Sequence, residues 1–209
     1  MKSEFQDNEK NFVCITAELH PETVTFNESI HLDKLQKESS HHFDLDKVYE
    51  QAREQGLVHG GAIKAKGDVY QDEEGLLIAI KVDETHQQEA ERYLFHPALI
   101  DGSAMAAGAL WEIPGQGEDL YLPLHYASFY CTAPLQTEVY VRALATSVKK
   151  GNDICSLDMF FYNEEGKQIG QLLGITSKKN SSKRTDYCFV TRTGSIISCG
   201  KRESNNKNT

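Results

Sequence analysis

Residues 97–111 read PALIDGSAMAAGALW. Proline suits the first position of a helix, where the N–H it lacks would have had no partner. Beyond it the run is apolar almost all round, which leaves no face for water, and a helix of that kind is buried. Gly102, Ala104, Ala106, Ala107, Gly108 and Ala109 are small enough to let other backbone approach closely. The spacing predicts a helix from His96-Pro97 to about Trp111, lying inside whatever wraps it.

The flanks predict the wrapping. Downstream are four strand candidates, Leu124–Thr132, Glu138–Thr146, Ile154–Tyr162 and Gln168–Ile175, with KKGND and NEEGK as hairpin turns between the last three. Upstream, Asp44–Gln55 is predicted helical: Asp44 caps it, Leu45, Val48, Tyr49 and Ala52 form its apolar stripe, and Gly56 stops it. Strands are expected at Ala62–Tyr70 and Leu76–Val82, around the turn DEEG. One buried helix wrapped by a curved antiparallel sheet is an α+β arrangement, the hot dog fold.

Further out, Asn11–Leu19 alternates like a strand, with Val13, Ile15 and Ala17 on one face, and the ten residues before it read as frayed. Residues 20–42 are polar and without period, and longer than most loops, so they are expected to be a linker between units. From Ser177 onward the chain turns basic and ends in NNKNT, a disordered composition, with YCFVTRTGSIIS as a stray strand candidate outside the domain. The expected division is an N-terminal strand and linker over 1–40, a domain over 41–177 and a disordered tail over 178–209. No internal repeat of fixed period is visible.

Composition narrows the function. Of 22 basic and 31 acidic residues, eight and two lie in 178–209, which leaves 14 against 29 before it. So acidic a body repels phosphate and argues against nucleic-acid binding. No run of 18 apolar residues spans a bilayer, and MKSEFQDNEK has no signal-peptide core, so a cytoplasmic location is expected. The five cysteines, Cys14, Cys131, Cys155, Cys188 and Cys199, are scattered and contain no CxxC, which reads as reduced thiols.

Several catalytic signatures are absent: HExxH, GxGxxG after a strand, a Walker loop and GxSxG. Ser147 to Lys150 spells Ser-x-x-Lys at a predicted turn and reads as a solvated turn. His31, His41 and His42 lie in polar sequence and read as solvated histidines, not metal ligands. Asn27-Glu-Ser29 and Asn180-Ser-Ser182 are glycosylation acceptors only in a secreted chain.

The segment that carries chemistry is Phe95–Met105, FHPALIDGSAM. Asp101 in the first turn of an apolar helix has two readings. It sits at the rim and gains from the helix dipole, or it is held in a mostly dry pocket, where desolvation keeps it protonated and able to donate.

FHPALIDGSAM resembles the His-Pro-x-x-x-Asp motif of polyketide synthase dehydratase domains. Gly56-Leu-Val-His-Gly-Gly-Ala62 resembles that family's Gly-Leu-x-Tyr-Gly-Pro-x-Phe, Tyr121-Leu-Pro-Leu124 its Leu-Pro-Phe segment, and Ser156–Ile175 its final hairpin. The resemblance covers about His41 to Ser177, the second half of a double hot dog, with Asn11–Pro21 similar to the end of the first half. It implies dehydration of a 3-hydroxyacyl chain carried on the phosphopantetheine of an acyl carrier protein, with no cofactor bound by the domain itself. A histidine of the first hot dog takes the α-proton and Asp101 protonates the departing hydroxyl. The same resemblance places His59, Gly60, His96, Pro97, Met105 and Pro123 around the substrate.

The departures are equally specific. None of the eight histidines begins the family's His-x-x-x-Gly-x-x-x-x-Pro motif, so the base is expected from a first hot dog half or another synthase domain. Met105 stands where the family carries Gln or His to hold the carboxyl, and a thioether donates no hydrogen bond. His59 replaces the family's Tyr and Gly61 its Pro; His59 reads as a pocket or core histidine, with recruitment as a base the alternative. Other readings stay open: a non-catalytic acyl-binding or structural hot dog, an enoyl-isomerase-like relative, and a free-standing hot dog thioesterase or hydratase working as a homodimer in which each chain completes its partner's site. The basic tail reads as a spacer, with carrier-protein docking as the alternative.

Overall fold

The structure, a computed structural model, describes residues 2–7, 10–20, 23–110 and 120–180, with side chains described from Thr16 onward. Strands β1 (Lys2–Asp7) and β2 (Lys10–Thr16) pair as an antiparallel hairpin. The residues expected to be frayed therefore form a strand, and the strand expected over Asn11–Leu19 ends at Thr16. The expected linker contains α1 (Leu32–Lys37), anchored by buried Leu32, and runs into β3 (His41–Asp44). Just before α1, Ile30 donates its N–H to the Gly166 carbonyl at 2.8 Å, and the Gln168 N–H donates to the Glu28 carbonyl at 3.0 Å.

Helix α2 (Leu45–Glu54) follows at once. The Asp44 carboxylate accepts the Asp46 N–H at 2.6 Å, and Gly56, at φ 93°, ends it as expected. Leu45, Tyr49 and Ala52 are its buried face. Strands β4 (Ala65–Gln71) and β5 (Gly75–Val82) form a hairpin, and the short α3 (Gln87–Ala90) leads to α4 (Pro97–Ala107). Then come β6 (Tyr121–His125), β7 (Ser128–Cys131), β8 (Glu138–Leu144), the two-residue β9 (Lys149–Lys150), β10 (Ile154–Tyr162) and β11 (Gln168–Lys179).

Strands β3 to β11 make one nine-stranded sheet in the order β3-β4-β5-β8-β10-β11-β6, with β7 also on β11 and β9 on β10; every pair is antiparallel. The sheet wraps α4, whose Ala98, Leu99, Gly102, Ser103, Ala106 and Ala107 are buried against Ile78, Ile80, Val141, Leu157, Met159 and other residues of one core. The α+β hot dog architecture read from the sequence is the observed one.

Two local differences have physical causes. The strand expected over Leu124–Thr132 is broken at Tyr126-Ala127. Both pieces pair with β11, and the break faces Gly174 at φ 61°, where a Cβ would lie 2.8 Å from the Ala127 methyl. Strand β3 was hidden because it is polar. His42, read as merely solvated, bonds Asp68 at 2.8 Å and stacks on Tyr70, which fastens this edge strand to β4. Ser147, read as part of a solvated turn, is half-buried and structural: its hydroxyl donates to the Leu144 carbonyl and accepts the Asp158 N–H. Cys131 and Cys155 are free thiols. The candidate strand at 187–198, the end of the basic tail and Trp111 lie outside the described residues.

Arg142 of β8, almost fully buried, reaches the β4–β5 turn and donates to Asp72 Oδ1 at 2.9 Å, an oxygen that also takes the Glu74 and Gly75 N–H groups. Burial raises the Asp72 carboxyl, but the Arg142 hydrogen bond and charge outweigh it and leave the carboxyl below its ordinary value. A lowered folded-state value stabilises above the unfolded value, about pH 4, and the contribution is lost as pH falls through the folded one. Asp72→Asn is expected to cost about 1.5–3 kcal/mol at neutral pH. Urea unfolding below about pH 4 should show the wild type losing stability faster than the variant, until the gap narrows.

Candidate active site

Helix α4 opens on His96. Its Nδ1 accepts the Ala98 N–H at 3.3 Å, its backbone N–H donates to the Leu135 carbonyl at 2.7 Å, and Tyr93 meets its ring edge-on. His96 is 2% exposed, and burial lowers its pKa, which favours the neutral ring that this cap requires. It fixes the helix entry and does not line the cleft. Pro97, at the first helical position, is exposed.

Asp101 lies one turn further on. No acidic residue occupies the first turn of α4, so the expected dipole contact is replaced by a position where that field has largely decayed. The Asp101 side chain is 33% exposed. It opens into a cleft between α2 and α4, roofed by the β6 end and Ser177, and shared with Val48, Gln51, Met105, Tyr121 and Pro123. Past Met105 the groove continues along Phe43, Ala106 and Ala109. The expected dry pocket is thus half realised: one carboxylate oxygen, Oδ2, is buried and the group as a whole meets the cleft.

His59 lies against that buried oxygen, which has no hydrogen-bond partner among the described residues in the resting geometry. Its Nε2 lies 3.1 Å from Asp101 Oδ2, and its side chain is 2% exposed. The Tyr49 ring packs on it, centroids 5.0 Å apart, and the Tyr49 hydroxyl accepts the Ala65 N–H at 3.2 Å. Gly102 makes this possible, because a Cβ there would sit 2.8 Å from the Tyr49 hydroxyl and 2.7 Å from Ile80 Cδ1. Burial, and then the Asp101 charge, raise the phenol pKa of both Tyr49 and Tyr126, so Tyr126 on the β6–β7 corner feels the same carboxylate. Gly60 is exposed, with open space beside its Cα.

The family described as PS-DH, polyketide synthase dehydratase N-terminal domain, matches residues 28–185. The chain belongs to the polyketide synthase dehydratase family. It is 37% identical over 164 residues to polyketide synthase PksL of Bacillus subtilis (strain 168) and 33% identical over 165 residues to PksM of the same organism. Each match covers 78% of this chain, which spans about 4% of the length of either relative. Among solved structures it is similar to a monomeric dehydratase domain from a trans AT polyketide synthase split module, at 36% identity and TM-score 0.72, covering 75% of this chain and 57% of that one.

Within this dehydratase fold the cleft brings together Asp101, Met105 and Pro123 of the residues expected around the substrate. It sets His59 behind the acid and leaves His96, Pro97 and Gly60 off the lining. Tyr49 was legible as a core residue of α2, but nothing in its spacing shows that its hydroxyl pins the neighbouring chain. Tyr126 carried no signal, since its place depends on the break in the β6–β7 edge. Among the described residues no group of three or more His, Cys, Asp or Glu is placed to hold a metal ion. None of the helices there is long and apolar enough to cross a membrane.

Proposed function

We propose that this chain is the acid-bearing part of a dehydratase that eliminates water from a 3-hydroxyacyl chain held on the phosphopantetheine of an acyl carrier protein. One observation carries the reading: Asp101, on the His-Pro-x-x-x-Asp helix, presents a one-third-exposed carboxyl to a groove lined by α2 and α4. Hydroxide is a poor leaving group, so an acid within hydrogen-bond reach of the departing oxygen is needed, and such an acid contributes ~10²–10⁴-fold. The groove beyond Met105 suits the apolar part of the acyl chain, and the arm arrives with the substrate.

The base comes from elsewhere in this reading. Among the described residues no histidine lines the cleft, and none of the eight begins the family's base motif. A partner hot dog half, presented by the synthase, supplies the imidazole that takes the α-proton. Met105 favours the second reading, an acyl-binding hot dog without chemistry, because it removes the donor expected beside the acid.

The test incubates the chain with a 3-hydroxyacyl carrier-protein thioester, with and without an added first hot dog half, and follows loss of water by mass spectrometry. Turnover only with the added half is expected. Turnover by the chain alone points to a homodimer and overturns the division of roles. Binding without turnover under both conditions supports the acyl-binding reading.

A further inference from the structure

When Asp101 gives up its proton, a carboxylate remains, and a fixed donor already aimed at it stabilises the charge as it forms. Met105, on the same face of α4 one turn on, cannot be that donor. The buried oxygen Oδ2 makes no hydrogen bond at rest among the described residues, and the donor-capable His59 Nε2 lies 3.1 Å away as an ion-pair contact. With its side chain 2% exposed and its ring against Tyr49, His59 is shut off from the cleft.

Resting on the dehydratase reading above, we propose that His59 is a positioning residue whose Nε2–H holds Asp101 Oδ2 and bears the charge left on the carboxyl after proton transfer. It replaces the side-chain donor that Met105 lacks. In the step, the external imidazole takes the α-proton and the C–H electron pair becomes the new C=C bond. The C–O bond breaks with its pair on oxygen, which takes the proton from Asp101 Oδ1 and leaves as water. Oδ2 of the resulting carboxylate then draws in the His59 N–H from 3.1 Å as a charge-assisted bond. Asp101 then regains a proton from solvent. Burial keeps His59 from reaching the α-carbon, so it is not the base.

Two measurements test this. In the full chain labelled with 15N-histidine, His59 is expected to give a slowly exchanging Nε2–H cross-peak at neutral pH, assigned by its loss in His59→Gln and itself lost in Asp101→Ala. In the reaction with the added half, His59→Phe is expected to lower kcat about 10²-fold with KM unchanged. His59→Gln, whose amide still donates, recovers most of that loss and serves alone if the Phe variant does not fold. A His59 cross-peak that survives unchanged in Asp101→Ala, or a His59→Phe variant with wild-type kcat, overturns the proposal. If the wild-type chain turns nothing over, the dehydratase reading fails, while the cross-peak still decides whether His59 holds Asp101.

Discussion

Asp101→Asn is expected to lower kcat for water loss by ~10²–10⁴-fold, with KM little changed. At 25 °C that corresponds to about 2.7–5.5 kcal/mol of transition-state stabilisation. The substitution keeps the shape of the side chain and its place against His59, so the fold has little reason to respond. The side chain is one-third exposed, and its loss of charge should move unfolding by about 0.5 kcal/mol or less. A steady-state comparison beside a thermal melt separates the two effects. A variant that dehydrates within tenfold of the wild type would move the acid to another group.

Phe161→Ala is expected to give the largest loss of stability, about 3–5 kcal/mol. The ring is fully buried on β10 and meets Phe129 of β7 edge-on at 5.9 Å, and Phe129 in turn meets Phe95 at 4.7 Å. Truncation leaves a void inside the sheet and removes the inner member of this aromatic series. The series ends one residue before His96, which caps α4, so the entry to α4 loosens as well. Small domains are stable by about 5–15 kcal/mol in total, so the variant should populate unfolded chains well below the wild-type melting point. Denaturant unfolding measures it, and a cost under about 1 kcal/mol would show that the core refills the space.

The central helix was legible because Pro97 and an all-round apolar run admit few other readings. Helix α2 was legible because a cap, a stripe and a stop agreed, and β10 because a turn sequence bounded it. Elements held by a few local contacts were not. Helix α1 buries only Leu32, and β3 is fastened by His42 against Asp68 and Tyr70, partners 26 and more residues away. The break between β6 and β7 follows from a left-handed Gly174 on a different strand. At the site, Asp101 was legible from its oddity within an apolar helix. The His59 pairing was not, because it needs Gly102 to bring α4 onto Tyr49, a matter of clearance that residue spacing does not carry.

The two backbone bonds that join residues 28–30 to the turn between β10 and β11 have a mechanical consequence. A pull on the upstream peptide reaches them before it reaches β3, the polar outermost strand of the sheet. The load passes into the longest hairpin of the fold, and β3 is spared from unzipping. A pull on this part of the polypeptide can therefore leave α4, with Asp101, in register.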